Sequence, residues 1–145
     1  MSATVIQAFY DAMRSMDPAA LAASFSDDVV VVEPPSLPYG GTTTSRDEFF
    51  EKVNGYTNQR ASFRLETAEV FGDGDRLAGH FTATFTAHGS GETFLLDQAE
   101  LYEVTGGAIN KVEVFQHDTP SLIEFFDRNR PAPQASPDSG RRSPR

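Results

Sequence analysis

The sequence contains neither cysteine nor tryptophan among its 145 residues. Without a thiol, the chain cannot form disulfide bonds, thiolate zinc sites or iron–sulfur clusters, and it cannot use a cysteine nucleophile. Basic residues are also few: 12 Lys and Arg against 21 Asp and Glu leave a net charge of −9. That sign is opposite to what neutralising nucleic-acid phosphates or anionic lipid requires. We therefore expect neither nucleic acid nor a membrane surface as a partner.

Long hydrophobic runs are missing as well. The longest aliphatic run is Val29–Val32, whereas a membrane-spanning helix needs about 20 apolar residues. The first residues, Met1–Thr4, lack the basic region and the apolar stretch of a secretory signal peptide. These features favour a soluble cytoplasmic protein.

Length and composition predict one domain followed by a short tail. The hydrophobic fraction of 39% and the twelve Phe residues are typical of one globular domain. The last fifteen residues, PAPQASPDSGRRSPR, hold four prolines, three arginines and no large apolar side chain, so folding cannot offset their loss of entropy. We predict a folded domain over residues 1–130. Three arginines and one aspartate give the predicted disordered tail, residues 131–145, a charge of +2, which leaves −11 on the domain.

Helices are indicated by apolar spacing and by capping residues. Val5, Phe9 and Met13 recur every four residues and predict a first helix of about three turns. Capping residues predict three further helix starts. In two of them a proline follows the cap at the first helical position, and in the third the residues have the spacing of a capping box. They are Asp17-Pro18, Thr119-Pro120 and Ser45 to Glu48.

Strands are indicated by β-branched runs and by alternation. Val29–Val32 reads as a buried strand that ends in Glu33 before two prolines, and residues 35–41 read as a loop. Residues 77–88 alternate apolar and polar, and glycine-rich turns divide residues 62–118 into four strands of a meander. The predicted order is α-α-β-α-β-β-β-β-α. Helices packed on one face of a curved antiparallel sheet make an α+β domain with a concavity suited to a small ligand.

Several short segments, in this order, resemble the NTF2-like superfamily. Within it, the chain is similar to the SnoaL-like branch, which contains polyketide cyclases and ketosteroid isomerase. The matching segments are Phe9 to Ala12, Phe25 to Val29, Glu33 to Pro35, Gly41 to Phe49, Gly106 to Ile109 and Phe115 to Asp118.

This resemblance implies a cone in which a curved, mixed or antiparallel sheet wraps around N-terminal helices and encloses a cavity. It also implies a homodimer formed through the outer face of the sheet. Ketosteroid isomerase places a carboxylate base at the end of the first strand and uses a tyrosine and a protonated aspartic acid as oxyanion donors. Here Glu33 stands at the base position, but Phe9 and Ala99 stand where the donors belong. We expect no ketosteroid isomerase of that mechanism, unless Tyr10 or a displaced Asp97 substitutes.

Two carboxylates are candidate catalytic residues. Glu33 at the end of an apolar strand is expected to be partly desolvated, which raises the pKa of a carboxyl group and suits it to acid or base chemistry. Asp97 shares strand parity with Leu95, Ala99 and Leu101 and would join Glu33 if that apolar side faces the cavity. The alternative reading places Asp97 at a bulge or near the rim, with Gln98 and Glu100 on the solvent side.

No cofactor or metal site is expected. His80, His88 and His117 match no metal-ligand spacing, and the glycines lack phosphate-loop spacing. We expect His80 on the surface or at a dimer interface, and His117 turned away from the cavity.

Two functions remain open at this point. The first is a cofactor-independent isomerase, cyclase or epoxide hydrolase acting on a small, largely apolar substrate; the second is a binding or dimerisation module without catalysis. The predicted lining of the pocket is the same for both. It comprises Phe9, Tyr39, Tyr56, Phe81, Phe85, Ala99, Val112, Val114 and Gln116.

Overall fold

A computed structural model describes residues 2–131, so the predicted tail lies almost entirely outside the described residues. The elements follow one another along the chain with short connections. They are α1 Ser2–Ser15, α2 Pro18–Ala23, β1 Phe25–Glu33, β2 Gly41–Thr43, α3 Arg46–Phe49, a π-helical turn Phe50–Asn54, α4 Gly55–Arg60, β3 Ala61–Phe71, β4 Arg76–Ala87, β5 Thr93–Thr105, β6 Ala108–Gln116 and α5 Thr119–Arg128.

The helices begin where capping residues place them. The Asp17 carboxylate accepts hydrogen bonds from the amides of Ala19 and Ala20 and starts α2. Ser45 Oγ accepts from the Glu48 amide and starts α3. The cap of α5 is one residue earlier than predicted, because Asp118 rather than Thr119 accepts from the amide at the helix start.

The strands form one mixed sheet of six, in the order β2-β1-β6-β5-β4-β3. Strands β3 to β6 pair antiparallel as the predicted meander, whereas β1 pairs parallel with β6. The predicted loop ends in an additional short strand, β2, which pairs antiparallel with β1. Gly40 precedes it at a position where a Cβ atom would collide with the carbonyl oxygen of Pro34.

The helices cover one face of this sheet, and the predicted α+β class is confirmed. The alternation predicted for β4 is also confirmed, because Leu77, Phe81 and Phe85 are buried while His80 is exposed. The side chains of Phe125 and Phe126 on α5 are fully buried against the inner face. No helix within residues 2–131 has the length and apolar character needed to cross a bilayer.

Candidate functional site

A cavity of about 500 Å³ lies between the inner face of the sheet and the helices. Its wall is mainly aromatic and aliphatic, which suits a small apolar ligand. The polar lining groups that the sheet contributes come from a few positions on its strands. The large apolar lining residues are Phe9, Met13, Met16, Leu21, Phe25, Phe49, Phe50, Val53, Phe63, Phe81, Phe85 and Leu96, and the polar ones are Glu33, Tyr39, Asn54, Thr57, Asn58, Gln98, Glu100 and Gln116.

The helix between β2 and β3 widens beside the cavity. Residues Phe50–Asn54 form a π-helical turn between α3 and α4, and Phe50, Val53 and Asn54 all line the cavity. Single π-turns inside helices are rare and occur often at functional sites, because the extra residue redirects side chains. The π-helical turn is therefore a second feature, independent of the volume of the cavity, that indicates a functional site here.

Glu33 is the last residue of β1 and faces the cavity. Its side chain is buried, with 7% of the residue exposed, and within residues 2–131 no hydrogen bond to its carboxyl group contributes to its pKa. Burial raises the pKa of Glu33 to about 8, with a smaller contribution from the negative charge of Glu100. The Glu33 carboxyl is therefore protonated at neutral pH.

Glu100 on β5 is the second buried carboxyl group of the cavity, with 6% of the residue exposed. Unlike Glu33, it is fully engaged: Gln98 Nε2 donates to one of its oxygens at 2.6 Å and the Tyr102 hydroxyl donates to the other at 2.7 Å. Burial raises the pKa of Glu100 to about 7, although the hydrogen bonds from Tyr102 and Gln98 act in the opposite direction.

The hydrogen bonds around Glu100 all point toward it. Tyr102 has one hydroxyl proton, which it donates to Glu100, so Tyr10 must donate to Tyr102 across the 2.9 Å between their hydroxyl oxygens. On the other side, Gln116 Nε2 donates to Gln98 Oε1, which leaves the Gln98 amide group free to donate to Glu100. This polarity stabilises the ionised form of Glu100 over the neutral form.

Glu33 and Glu100 therefore form an unequal pair. Because burial raises both pKa values and the charge of Glu100 disfavours a second charge on Glu33, the pair loses its two protons in separate steps. In the singly ionised pair the proton resides on Glu33, which receives no hydrogen bond from the described part of the chain, and the charge resides on Glu100, which receives two. One buried site thus presents a carboxylic acid and a carboxylate together, the arrangement that acid–base catalysis uses.

The prediction that Asp97 enters the cavity was wrong, because β5 presents the opposite face. Gln98 and Glu100 point inward, while Asp97 and Ala99 lie on the outer face of the sheet. There Asp97 Oδ1 lies 2.6 Å from Nε2 of His80, and both side chains are more than one-third exposed. The alternative that put Gln98 and Glu100 on the solvent side was wrong for the same reason.

The sequence does carry a signal for the correct face of β5. The prediction weighed only the stretch from Leu95 to Leu101, in which the odd-numbered positions are more apolar. Over the whole strand, the even-numbered positions hold more large apolar side chains, and they are the ones that pack on the core. They are Phe94, Leu96, Tyr102 and Val104.

The remaining predicted pocket residues divide into two groups. Those that line the cavity are Phe9, Tyr39, Phe81, Phe85 and Gln116. Those that do not line it are Tyr56, Val112 and Val114, besides Ala99. Tyr56 packs behind the wall, with its ring 5.4 Å from that of Tyr39, and the two valines are buried on β6.

The three histidines stay outside the cavity. His80 and His117 are exposed, as predicted, and His88 Nε2 bonds the backbone oxygen of Asn58 at 2.8 Å. Within residues 2–131, no group of three His, Asp or Glu side chains is arranged to hold a metal ion.

Comparison with known proteins places this geometry in a family. Residues 6–112 match the SnoaL-like domain. An NTF2-like protein from Burkholderia thailandensis E264 is 25% identical, with a TM-score of 0.72 over 85% of this chain and 95% of that chain. No curated protein sequence matches this chain.

Two further solved structures share the fold. TerC, co-crystallised with polyporic acid, is 22% identical with a TM-score of 0.75 over 87% of this chain and 98% of its own. A protein provisionally described as a polyketide cyclase, from Pseudomonas putida KT2440, is 23% identical with a TM-score of 0.71, over 86% and 97%. The resemblance seen in the sequence is confirmed, and the chain belongs to the SnoaL-like domain family with its NTF2-like fold.

Proposed function

We propose that this chain is a cofactor-independent acid–base enzyme acting on a small, largely apolar substrate, with Glu33 as the proton donor and Glu100 as the proton acceptor. The observation that carries the proposal is the pair of buried carboxyl groups, with unequal hydrogen bonding, in an aromatic cavity of about 500 Å³. Carboxyl groups with pKa values near neutrality are suited to transferring protons at physiological pH.

The pair suits reactions that need a proton on oxygen and a base nearby. In isomerisation or intramolecular aldol cyclisation, Glu33 would donate to a carbonyl oxygen while Glu100 removes a proton from the neighbouring carbon. In epoxide opening, Glu33 would protonate the epoxide oxygen while Glu100 takes a proton from the attacking water. Both carboxylate oxygens of Glu100 keep a free lone pair, because each accepts one hydrogen bond.

The polar positions on the cavity wall support a substrate that carries oxygen atoms. Gln98 and Gln116 lie beside Glu100 and are joined by a hydrogen bond, so their positions are held before any ligand binds. The apolar body of a substrate would lie against the phenylalanine side chains opposite. Preorganised polar groups in a water-poor cavity stabilise developing charge without reorganising during the reaction.

The test uses two apolar probes that report the two reaction types. Exchange of the α-protons of 1-tetralone in D₂O, followed by ¹H NMR, reports proton abstraction; hydrolysis of styrene oxide reports epoxide opening. We expect the protein to accelerate at least one reaction, with Glu33→Gln and Glu100→Gln each lowering the rate about 100-fold. Asp97→Asn is the matched control, because it removes a carboxylate from the outer face of β5, the strand that carries Glu100. No acceleration of either probe, or equal loss in the control, contradicts the proposal.

The second candidate function is ligand binding without turnover. It is favoured by one observation, that both oxygens of Glu100 already accept hydrogen bonds from Tyr102 and Gln98. In that case both probes bind, as seen by chemical-shift changes of cavity residues, but neither reacts faster than in buffer.

We also propose that the protein is a cytoplasmic homodimer formed through the outer face of the sheet. Large apolar side chains are exposed there: Leu95 at 62%, Phe115 at 51% and Leu101 at 45%. Sedimentation of the wild type as a dimer, and of Leu95→Lys as a monomer, is the expected result. A wild type that sediments as a monomer at all concentrations contradicts the homodimer.

A further inference from the structure

We infer that the cavity binds a ligand whose apolar body carries one positively charged nitrogen, with the ammonium group held between Glu33 and Glu100. The inference goes beyond the proposed function, because the charge of the ligand does not depend on whether the protein turns it over. It rests on the charges that line the cavity, on the unpartnered Glu33 and on the aromatic wall.

The cavity wall is unbalanced in charge. It contains two carboxyl groups, Glu33 and Glu100, and within residues 2–131 it contains no Lys, Arg or His side chain. The three basic side chains of the helical segment from Arg46 to Arg60 make their contacts elsewhere. Lys52 donates to the backbone oxygen of Gly40, the Arg46 guanidinium lies 2.9 Å from the carboxylate of Asp27, and the Arg60 guanidinium lies over the Tyr56 ring.

Among the described residues, Glu33 is the carboxyl group of the cavity that lacks a hydrogen-bond partner. It is more than nine-tenths buried, it faces the cavity, and no side chain or backbone group within residues 2–131 donates a hydrogen bond to it. A buried carboxylate without a partner is unfavourable, and proteins pair such groups with a cation or keep them protonated. A ligand ammonium would supply the missing cation and its hydrogen-bond donors.

Glu100 supplies the negative charge that remains when Glu33 is protonated. Its two hydrogen bonds come from neutral donors, Gln98 and Tyr102, so they stabilise the carboxylate without neutralising it. With Glu33 protonated and Glu100 ionised, the buried pair carries one net negative charge. A single positive charge on the ligand complements it.

The opposite wall suits the rest of such a ligand. Aromatic faces attract cations through their quadrupoles and also bury apolar surface, and six phenylalanines line the cavity besides Phe85. They are Phe9, Phe25, Phe49, Phe50, Phe63 and Phe81. The net charge of −11 over residues 1–130 raises the local concentration of cations around the whole domain.

Binding of a cation should be linked to release of protons. The titratable groups near the site are Glu33, Glu100 and three tyrosines, Tyr10, Tyr39 and Tyr102, all of whose pKa values are raised by burial. The tyrosines are thus neutral across the physiological range, and only the two carboxyl groups titrate there. A bound ammonium favours their ionised forms, so affinity should rise as the pH rises through 7 and 8.

The experiment compares three probes that share one apolar body, a phenyl ring with four methylene groups: 4-phenylbutylammonium, 4-phenylbutan-1-ol and 5-phenylpentanoate. Their affinities are measured by isothermal titration calorimetry at pH 6.0, 7.5 and 8.5, where the ammonium probe stays protonated as Lys side chains do. We expect the ammonium to bind at least tenfold tighter than the alcohol at pH 8.5, and the carboxylate to bind weakest. Affinity for the ammonium should rise about tenfold from pH 6.0 to 8.5, with proton release detected by repeating the titration in two buffers of different ionisation enthalpy.

Three variants assign the preference to the carboxyl pair. Glu33→Gln and Glu100→Gln should each lower affinity for the ammonium about tenfold while leaving affinity for the alcohol within threefold. Asp97→Asn should change neither. If Glu100→Gln does not fold, as judged by circular dichroism, Glu33→Gln decides alone.

Two results would overturn the inference. One is a preference for the ammonium over the alcohol of less than threefold at pH 8.5, including no binding of the ammonium at millimolar concentration. The other is a preference that survives unchanged in Glu33→Gln. Ammonium binding without catalysis of the ketone or epoxide probes would contradict the acid–base proposal and leave this inference standing, so the two failures are distinguishable.

Discussion

The hydroxyl group of Tyr10 occupies the space that a Cβ atom on Gly79 would fill. Gly79 lies on β4 directly opposite Glu100 on β5, and the Tyr102 ring passes 2.9 Å from the same position. The missing side chain therefore lets Tyr10 reach Tyr102, which in turn donates to Glu100. A glycine in mid-strand positions the hydrogen-bond network of the cavity.

Gly79→Ala should destabilise the fold by about 2–3 kcal/mol, because the added methyl group forces Tyr10 or Tyr102 out of place. Urea denaturation measures the change. Tyr10→Phe removes the colliding hydroxyl, so the double variant should be more stable than the sum of the two single effects implies. Gly89→Ala is the control: no atom lies within 4 Å of its added Cβ, and we expect a change below about 0.5 kcal/mol. A similar loss in both alanine variants would contradict the explanation.

The stability of the protein should fall as the pH rises from about 5 to about 8. Burial raises the pKa values of Glu33 and Glu100 above the usual 4.5, so the folded state binds more protons than the unfolded state in this window. Since unfolding then releases protons, raising the pH favours unfolding. Glu33→Gln removes one of these groups and should make the protein more stable than the wild type at pH 8.5, by more than about 1 kcal/mol. Thermal melts of both proteins at pH 5 and pH 8.5 test this, and equal pH dependence would contradict it.

Tyr102→Phe should raise the pKa of Glu100 further. The Tyr102 hydroxyl donates to the Glu100 carboxylate and favours its charged form, and phenylalanine keeps the ring but removes that donor. A pH titration of the Glu side-chain carboxyl carbons by ¹³C NMR measures the shift. Tyr10→Phe is the matched control, because it leaves the bond from Tyr102 in place and should shift Glu100 less. Equal shifts in the two variants would show that the donor is not the cause.

Activity of the acid–base pair should follow a bell-shaped pH profile. It needs Glu100 ionised and Glu33 protonated, so the rate should rise near pH 7 and fall near pH 8. The apparent pKa values that define the two limbs of the profile describe the coupled pair and not either carboxyl group alone. In Glu33→Gln the limb near pH 8 should disappear together with most of the rate. A limb near pH 8 that persists in this variant would assign it to another group.

The hydrogen-bonded pair of His80 and Asp97 on the outer face should matter little for the stability of the separated subunit. Asp97 and His80 lie 2.6 Å apart but are both more than one-third exposed, and exposed pairs contribute at most about 1 kcal/mol. At protein concentrations low enough to keep the chain monomeric, Asp97→Asn should therefore change the free energy of unfolding by less than that amount and leave the titration of Glu33 unchanged. A change in the Glu33 titration would contradict the separation of the two faces.

Much of the fold follows from local chemistry. The cap at Asp17, the capping serine at Ser45 and the alternation along β4 each depend on neighbouring residues alone, and each appears in the structure as predicted. Strand β2 was missed because three residues, Gly41–Thr43, have no pattern of their own and become a strand only by pairing with β1. The parallel pairing of β1 with β6 joins segments distant in the sequence. No turn residues connect these two strands directly, so the sequence gives no local indication that they pair.

The candidate site likewise has one residue that the sequence predicts and one that it does not. Glu33 could be selected from the sequence, because a carboxylate that ends an apolar strand stands out, but its function remains a prediction. Glu100 could not be selected over Asp97 from the stretch between Leu95 and Leu101, because the odd-numbered positions are the more apolar ones there. The choice depends on which face meets the helices, and this is set by packing along the full strand, including Phe94 and Tyr102.

The sequence by itself determined the absence of thiol chemistry, the acidic balance of the chain, the α+β class and one carboxylate at the end of a strand. These properties follow from composition and from apolar residues that recur every two or four positions. Strand and helix geometry places residues with these spacings on one face of the element. Only the tertiary structure decided that Glu33 and Glu100 share a cavity and that the two pKa values approach neutrality. Burial and the proximity of charges depend on which strands the fold brings together, and no local spacing records that.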